Sequence, residues 1–154
     1  VSVAAETVLL RHAQRGDSHL DWMIDLPDGT DTLRTFRCAA AWSDFDRLGR
    51  VGLLGLAPHR RAWLTRQGRP RGPRSAGRGR VLRLARGTAE VEHADCHGFH
   101  LRLAWPAGPG HAAGAFRGRV VRLHRERFEF LRDDHEPPAP HAGRFLRATP
   151  PGGR

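Results

Sequence analysis

RHAQRGDSHLDWMIDL, residues 11–26, is the stretch whose reading decides the fold. From residue 19 it alternates. Leu20, Trp22, Ile24 and Leu26 form one set, and His19, Asp21, Met23 and Asp25 form the other. A period of two is the mark of a strand with one apolar face. His19 and Asp21 therefore share the opposite face. His12 closes an earlier apolar run over residues 7–11, and a six-residue polar connection containing Gly16 and Asp17 predicts a hairpin that folds it back beside His19. Two imidazoles and a carboxylate in one place suit a first-row divalent ion such as zinc, manganese or iron. The same three residues also fit an ordinary solvated polar face. What favours the ligand reading is the strongly apolar opposite face, which orders the strand.

Working outward, residues 7–12 and 19–26 are the first two strands, after a loose lead-in over residues 1–5. Pro27-Asp28-Gly29 is a turn. Residues 32–38 (TLRTFRC) alternate again and return as a third strand. Ser43, followed by Asp44 and Asp46, reads as the start of a short helical turn within residues 39–50. Residues 51–56 are apolar but broken by Gly52 and Gly55. Further strands are expected at residues 60–67, 80–86, 88–93, 98–105, 114–123 and 127–131. A Gly-, Pro- and Arg-rich loop is expected at 68–79, and turns at Arg86-Gly87 and residues 106–110. About eight short, regularly spaced strands predict an all-β fold, a closed antiparallel barrel that leaves no free edge. The barrel domain takes residues 1–133. Residues 134–154, rich in Pro, Gly, Ala and His, are expected to form a disordered tail.

Hydrophobic residues make up 39% of the chain, which predicts a modest core. All 26 basic residues are Arg and the formal net charge is +10, a balance that attracts polyanions. The absence of Lys, Asn and Tyr resembles GC-rich coding bias, which weakens that inference without cancelling it. Residues 60–86 hold many Arg and no acid, so they read either as a rim facing nucleic acid, with Trp63 to stack on a base, or as a solvated loop. Cys38 and Cys96 define no disulfide framework, so a reducing cytoplasm is expected. The first ten residues carry no signal-peptide pattern, and no window is apolar for long enough to span a membrane. His93, Cys96, His97 and His100 (HADCHGFH) have zinc-like spacing but no complementary ligand pair elsewhere, so they read as a polar hairpin turn. His111, His124, His135 and His141 read as surface residues. Trp22 and Cys38 read as core, and Trp42, Trp63 and Trp105 as packing residues rather than ligand platforms.

The order of motifs resembles the phosphoesterase domain of bacterial DNA ligase D, the end-joining ligase, and its stand-alone relatives. The resemblance runs over roughly residues 7–132. It is carried by Arg11-His12, then His19-Leu20-Asp21-Trp22, then Leu33-Arg34-Thr35-Phe36, then Pro58-His59-Arg60 with Trp63 and Gln67-Gly68. It continues through Ala85-Arg86-Gly87-Thr88, residues 118–123 and the aromatic strand at 127–131. Such a relationship implies an eight-stranded barrel with a manganese-type ion at one end, zinc being the other option. It implies removal of 3′-terminal phosphates or ribonucleotides from DNA or RNA ends, and an end-joining ligase or polymerase as partner. By carry-over, His12, His19 and Asp21 would be metal ligands, and His59 would contact the scissile phosphate. Arg11, Arg34, Arg37, Arg61 and Trp63 would be candidates for holding nucleic acid. Met23, Ala57 and Gln67 stand where the family has Arg, Glu and Glu. They leave open the alternative of a non-catalytic nucleic-acid-binding barrel that retains a metal site.

Overall fold

A computed structural model describes residues 2–14, 16–38, 49–66, 68, 79–106 and 114–134. Nine strands follow one another: β1 (Val3–Gln14), β2 (Asp17–Ile24), β3 (Thr32–Cys38), β4 (Arg50–Gly55), β5 (His59–Arg60), β6 (Arg80–Glu92), β7 (Gly98–Trp105), β8 (Gly114–His124) and β9 (Arg127–Arg132). Eight of them pair antiparallel in the order β2-β1-β6-β7-β8-β9-β4-β3, and β3 pairs back onto β2 to close the barrel. The two-residue β5 stays outside this ring, laddered to the start of β3 through Thr32↔Arg60 and Leu33↔His59.

The interior is filled by the inward set of each strand. Leu9, Trp22, Ile24, Phe36, Val51, Leu101, Leu103, Val120, Phe128 and Phe130 belong to one buried cluster. Its aromatic rings meet tilted or edge-on: Phe36 lies 5.2 Å from Phe128, and Trp22 5.9 Å from Phe130, centroid to centroid. Thr7 ties the wall to this core. Its Oγ1 accepts the Trp22 indole N–H at 2.8 Å and donates to the Met23 carbonyl at 2.9 Å. Gly118 lies under β9: a Cβ there would fall 2.5 Å from the Leu131 carbonyl oxygen and 2.6 Å from the Phe130 ring.

Three expectations need correction. Residues 3–5 are no loose lead-in, because β1 pairs with β6 from Val3↔Val91 onward. Arg86-Gly87 is no turn, because β6 runs unbroken through it. Gly87 instead permits a close approach, since a Cβ there would lie 2.0 Å from the Ala104 carbonyl oxygen. The β1–β6 ladder does carry a bulge, where Leu9 faces Ala85 and Leu10 faces Arg83, leaving Leu84 as the extra residue.

The third correction concerns residues 60–67. After β5 the chain makes a one-turn 3-10 helix, Arg61–Leu64, in place of a strand. Trp63 and Leu64 are adjacent, and a strand would send them to opposite faces; a helical turn lets both lean on the one wall the segment covers. The expected helical turn at Ser43, Asp44 and Asp46 lies outside the described residues. So do Trp42, Gln67, His111, most of the Arg-rich loop and the tail with His135 and His141.

Candidate metal centre

The outward set of β1, β2 and β3 is not uniformly polar. Val8, Leu10, Met23 and Leu33 form a second apolar cluster with Val81 of β6 and Leu64 of the helical turn, and Trp63 packs against it. The segment from β5 through the helical turn thus lies as a strap across the outside of the barrel. Beyond the strap, toward the β1–β2 turn, the same face becomes polar. β1 and β2 pair as far as Gln14↔Asp17, so the connection is tighter than the expected six residues, and His12 sits directly opposite His19. Asp21 follows His19 by two residues and stays on that face. Across the β2–β3 ladder Asp21 faces Arg37.

Asp21 is almost wholly buried, at 2% exposure. Its Oδ2 lies 3.4 Å from Nε2 of His12 and 3.5 Å from Nε2 of His19. Its Oδ1 accepts the Nε–H of Arg37 at 3.2 Å. A second Arg37 nitrogen, in the same guanidinium, lies 2.9 Å from Nε2 of His19. The two imidazoles are stacked, with centroids 4.9 Å apart and planes 13° from parallel. Burial pushes the pKa of His12 below its ordinary value; Asp21 opposes the shift, while His19, His59 and Arg37 add to it.

This donor set fits a divalent cation. His12 Nε2, which faces Asp21, is buried and has no hydrogen-bond partner, a cost that a bound ion would relieve. A tetrahedral site with bonds near 2.0–2.1 Å has ligand–ligand edges of about 3.3 Å. The two histidine–carboxylate separations are close to that length, and one ligand atom from each of the three residues lies within 4.8 Å of the others. Among the described residues no other group of three such side chains converges in this way. The cluster lies on the outer wall, near the β1–β2 turn.

The other expected site residues divide. Trp63 joins the cluster, its ring 5.5 Å from that of His12. His59 lies 5.5 Å from Trp63, edge-on, with Nδ1 3.1 Å from the Ala57 carbonyl; it touches the same indole but is not one of the three convergent ligands. Arg37 is in direct contact, as described. Arg11 shares the parity of Leu9, opposite to that of His12, and donates to Ser18 at 3.2 Å. Arg34 shares the parity of Phe36 and lies over the Phe36 and Phe128 rings, 5.6 and 5.5 Å from their centroids. Neither is brought to the cluster. Arg61 pairs with Asp25 and pins the strap to the end of β2. Arg66 covers the Trp63 ring at 4.8 Å, so a base stacking there would meet a guanidinium as well.

Asp17 was not among the expected site residues. Its carboxylate lies 3.6 Å from Nδ1 of His19, just beyond hydrogen-bond reach. The signal was present in the alternation, since Asp17 stands two residues before His19, but the assumed long connection hid it. Neither a protein-family model nor a curated protein matches this chain.

Proposed function

We propose that this chain is a divalent-metal-dependent phosphoesterase that trims 3′ ends of nucleic acid, removing a terminal phosphate or ribonucleotide in DNA repair, as its resemblance to the ligase D phosphoesterase domain implies. The observation that supports this most is the convergence of His12, His19 and Asp21 at metal-ligand spacing, with Arg37 alongside. His12, His19 and Asp21 would hold the ion, manganese by preference and zinc as the other option. A bound ion of this kind polarises a phosphoryl oxygen and acidifies a coordinated water. Asp21 turns one carboxylate oxygen toward the two histidines and accepts the Nε–H of Arg37 with the other, so an ion held by the three ligands would meet it between them. Asp17, 3.6 Å from Nδ1 of His19, is the carboxylate that would orient that ring on closing to hydrogen-bond distance. His59, whose ring meets that of Trp63 edge-on, is the candidate to hydrogen-bond the phosphate or protonate the leaving oxygen. The net charge of +10 favours a polyanionic partner, and an end-joining ligase or polymerase acting in the cytoplasm is the partner the resemblance implies.

The test is release of phosphate from a 3′-phosphorylated primer in manganese by the wild type, His12→Ala and Asp21→Ala. Release by the wild type and its loss in both variants is expected. Equal release by all three, or none by any, removes the enzyme reading.

A second reading, a non-catalytic nucleic-acid-binding barrel, draws on Met23. That residue stands where the family has Arg, and it is completely buried in the outer apolar cluster. Primer binding without phosphate release would favour it.

A further inference from the structure

Position 23 holds Met23, and the arginine that lies beside the Asp21 carboxylate is Arg37. Met23 follows Asp21 on the outer face of β2 but is packed among Val8, Leu10, Leu33, Leu64 and Val81, where no charge can be carried to the cluster. One strand across, Arg37 faces Asp21 directly in the β2–β3 register, and its side chain remains 39% exposed. It therefore sits on the same polar face as the ligands and reaches solvent.

Its hydrogen bonds are the second observation. Nε–H goes to Asp21, and an amino nitrogen meets Nε2 of His19 at 2.9 Å. Arg has no lone pair to offer, so His19 Nε2 must be the acceptor. A cation that takes this nitrogen needs the same lone pair. The Arg37 N–H and the cation are then competitors for one orbital, and a guanidinium displaced from it sits beside a dication with a donor left over. An anion bridging the two is what such an arrangement recruits, and a phosphoryl oxygen matches the planar fork of the guanidinium.

We propose that Arg37 is the phosphoryl-binding residue of this centre, and that metal and phosphate binding are coupled through its exchange from His19 Nε2 to the anion. This rests on the metal-centre reading above. Because the coupling is a free energy, it is reciprocal: phosphate tightens the metal as much as the metal tightens phosphate.

Calorimetric titrations of the full chain with manganese alone, inorganic phosphate alone, and phosphate in the presence of manganese test this on the wild type, Arg37→Gln and Arg37→Lys, with circular dichroism to show that each is folded. In the wild type, manganese should raise phosphate affinity by about tenfold or more, the scale of one charge-assisted hydrogen bond. Arg37→Gln should bind manganese as tightly as the wild type or tighter, because a competitor and a neighbouring charge are gone, and should lose the gain in phosphate affinity. Arg37→Lys, with the charge but no fork, should fall between. Unchanged phosphate affinity in manganese-loaded Arg37→Gln, or weakened manganese binding by a folded Arg37→Gln, overturns the proposal. Failure of the wild type to bind manganese overturns both this proposal and the phosphoesterase reading. Manganese-dependent phosphate binding that needs Arg37, without release from a 3′-phosphorylated primer, would sink the phosphoesterase alone.

Discussion

The β1–β2 and β6–β7 hairpins both carry histidines, and only the first sets them with a carboxylate at metal-ligand spacing. In the β1–β2 hairpin, His12 and His19 face each other across the ladder and Asp21 lies beneath them, nearly sealed from water. In the β6–β7 hairpin, His93, Cys96, His97 and His100 are all exposed, and the His93 and His100 rings meet edge-on at 6.5 Å. By spacing alone, the β6–β7 set is closer to a zinc motif than the β1–β2 set. What separates them is position relative to the ladder. His12 and His19 sit on directly paired strand residues, held in register by the backbone ladder, with the buried Asp21 two residues along the same face. Ligands spread around a turn have neither constraint. The β6–β7 turn is shaped for the chain itself: Asp95 accepts the His97 and Gly98 backbone N–H groups at 2.7 and 3.0 Å, which hold its carboxyl below the usual range.

The contrast can be broken in four ways. The largest effect should be in thiol chemistry. Cys96 is exposed on the β6–β7 hairpin, whereas Cys38, at the end of β3 next to Arg37, is buried and its thiol is pushed well up by burial. Native protein treated with an aromatic disulfide reagent should label Cys96 at once and Cys38 about a thousandfold more slowly, at the pace of unfolding. Rapid labelling of both would mean that the wall beneath the centre opens freely.

Next in size is metal affinity. Asp21→Ala should weaken manganese binding by about a hundredfold or more, while the His93→Ala/His100→Ala double variant should stay within about twofold of the wild type. Comparable losses in both would erase the distinction between the hairpins. Third, the turns should respond unequally to a methyl group. A Cβ at Gly98 would lie 1.9 Å from the Val120 carbonyl oxygen, whereas Gly16, at φ +80°, has open space around it. Thermal unfolding should show Gly98→Ala costing about 3 kcal/mol and Gly16→Ala about 1 kcal/mol. Fourth and smallest, Asp17→Asn should weaken manganese binding by about fivefold, through loss of the carboxylate behind His19. No change there would remove Asp17 from the centre.

Much of the barrel was legible in the chain because its strands advertise themselves by alternation. The β2 run is the clearest case: Trp22 and Ile24 went inward and His19 and Asp21 outward together, as a period of two requires. Where the reading failed, a local signal had another meaning. Gly87 has the character of a turn residue, but its missing side chain serves the approach of β7. RRAWL has the character of a strand, but it covers a wall, and a cover buries only one side of itself. The candidate arginines fared unevenly for a related reason. Arg34 and Arg37 are three residues apart on β3, so they fall on opposite faces, and only Arg37 reaches the cluster.

The sequence by itself settled which residues share a face of each strand, that the fold is all-β, and that the chain carries a strong positive charge. Periodicity and composition are local properties, and they survive in the unfolded chain. Only the tertiary structure decided that the face carrying His12, His19 and Asp21 is the outer one, that part of it is roofed by the strap, and that Arg37 is the residue set against Asp21. Those outcomes depend on long-range pairing and register, where a shift of one residue would reverse every side chain. No stretch of the chain carries that choice alone; it is made by the closure of the whole barrel.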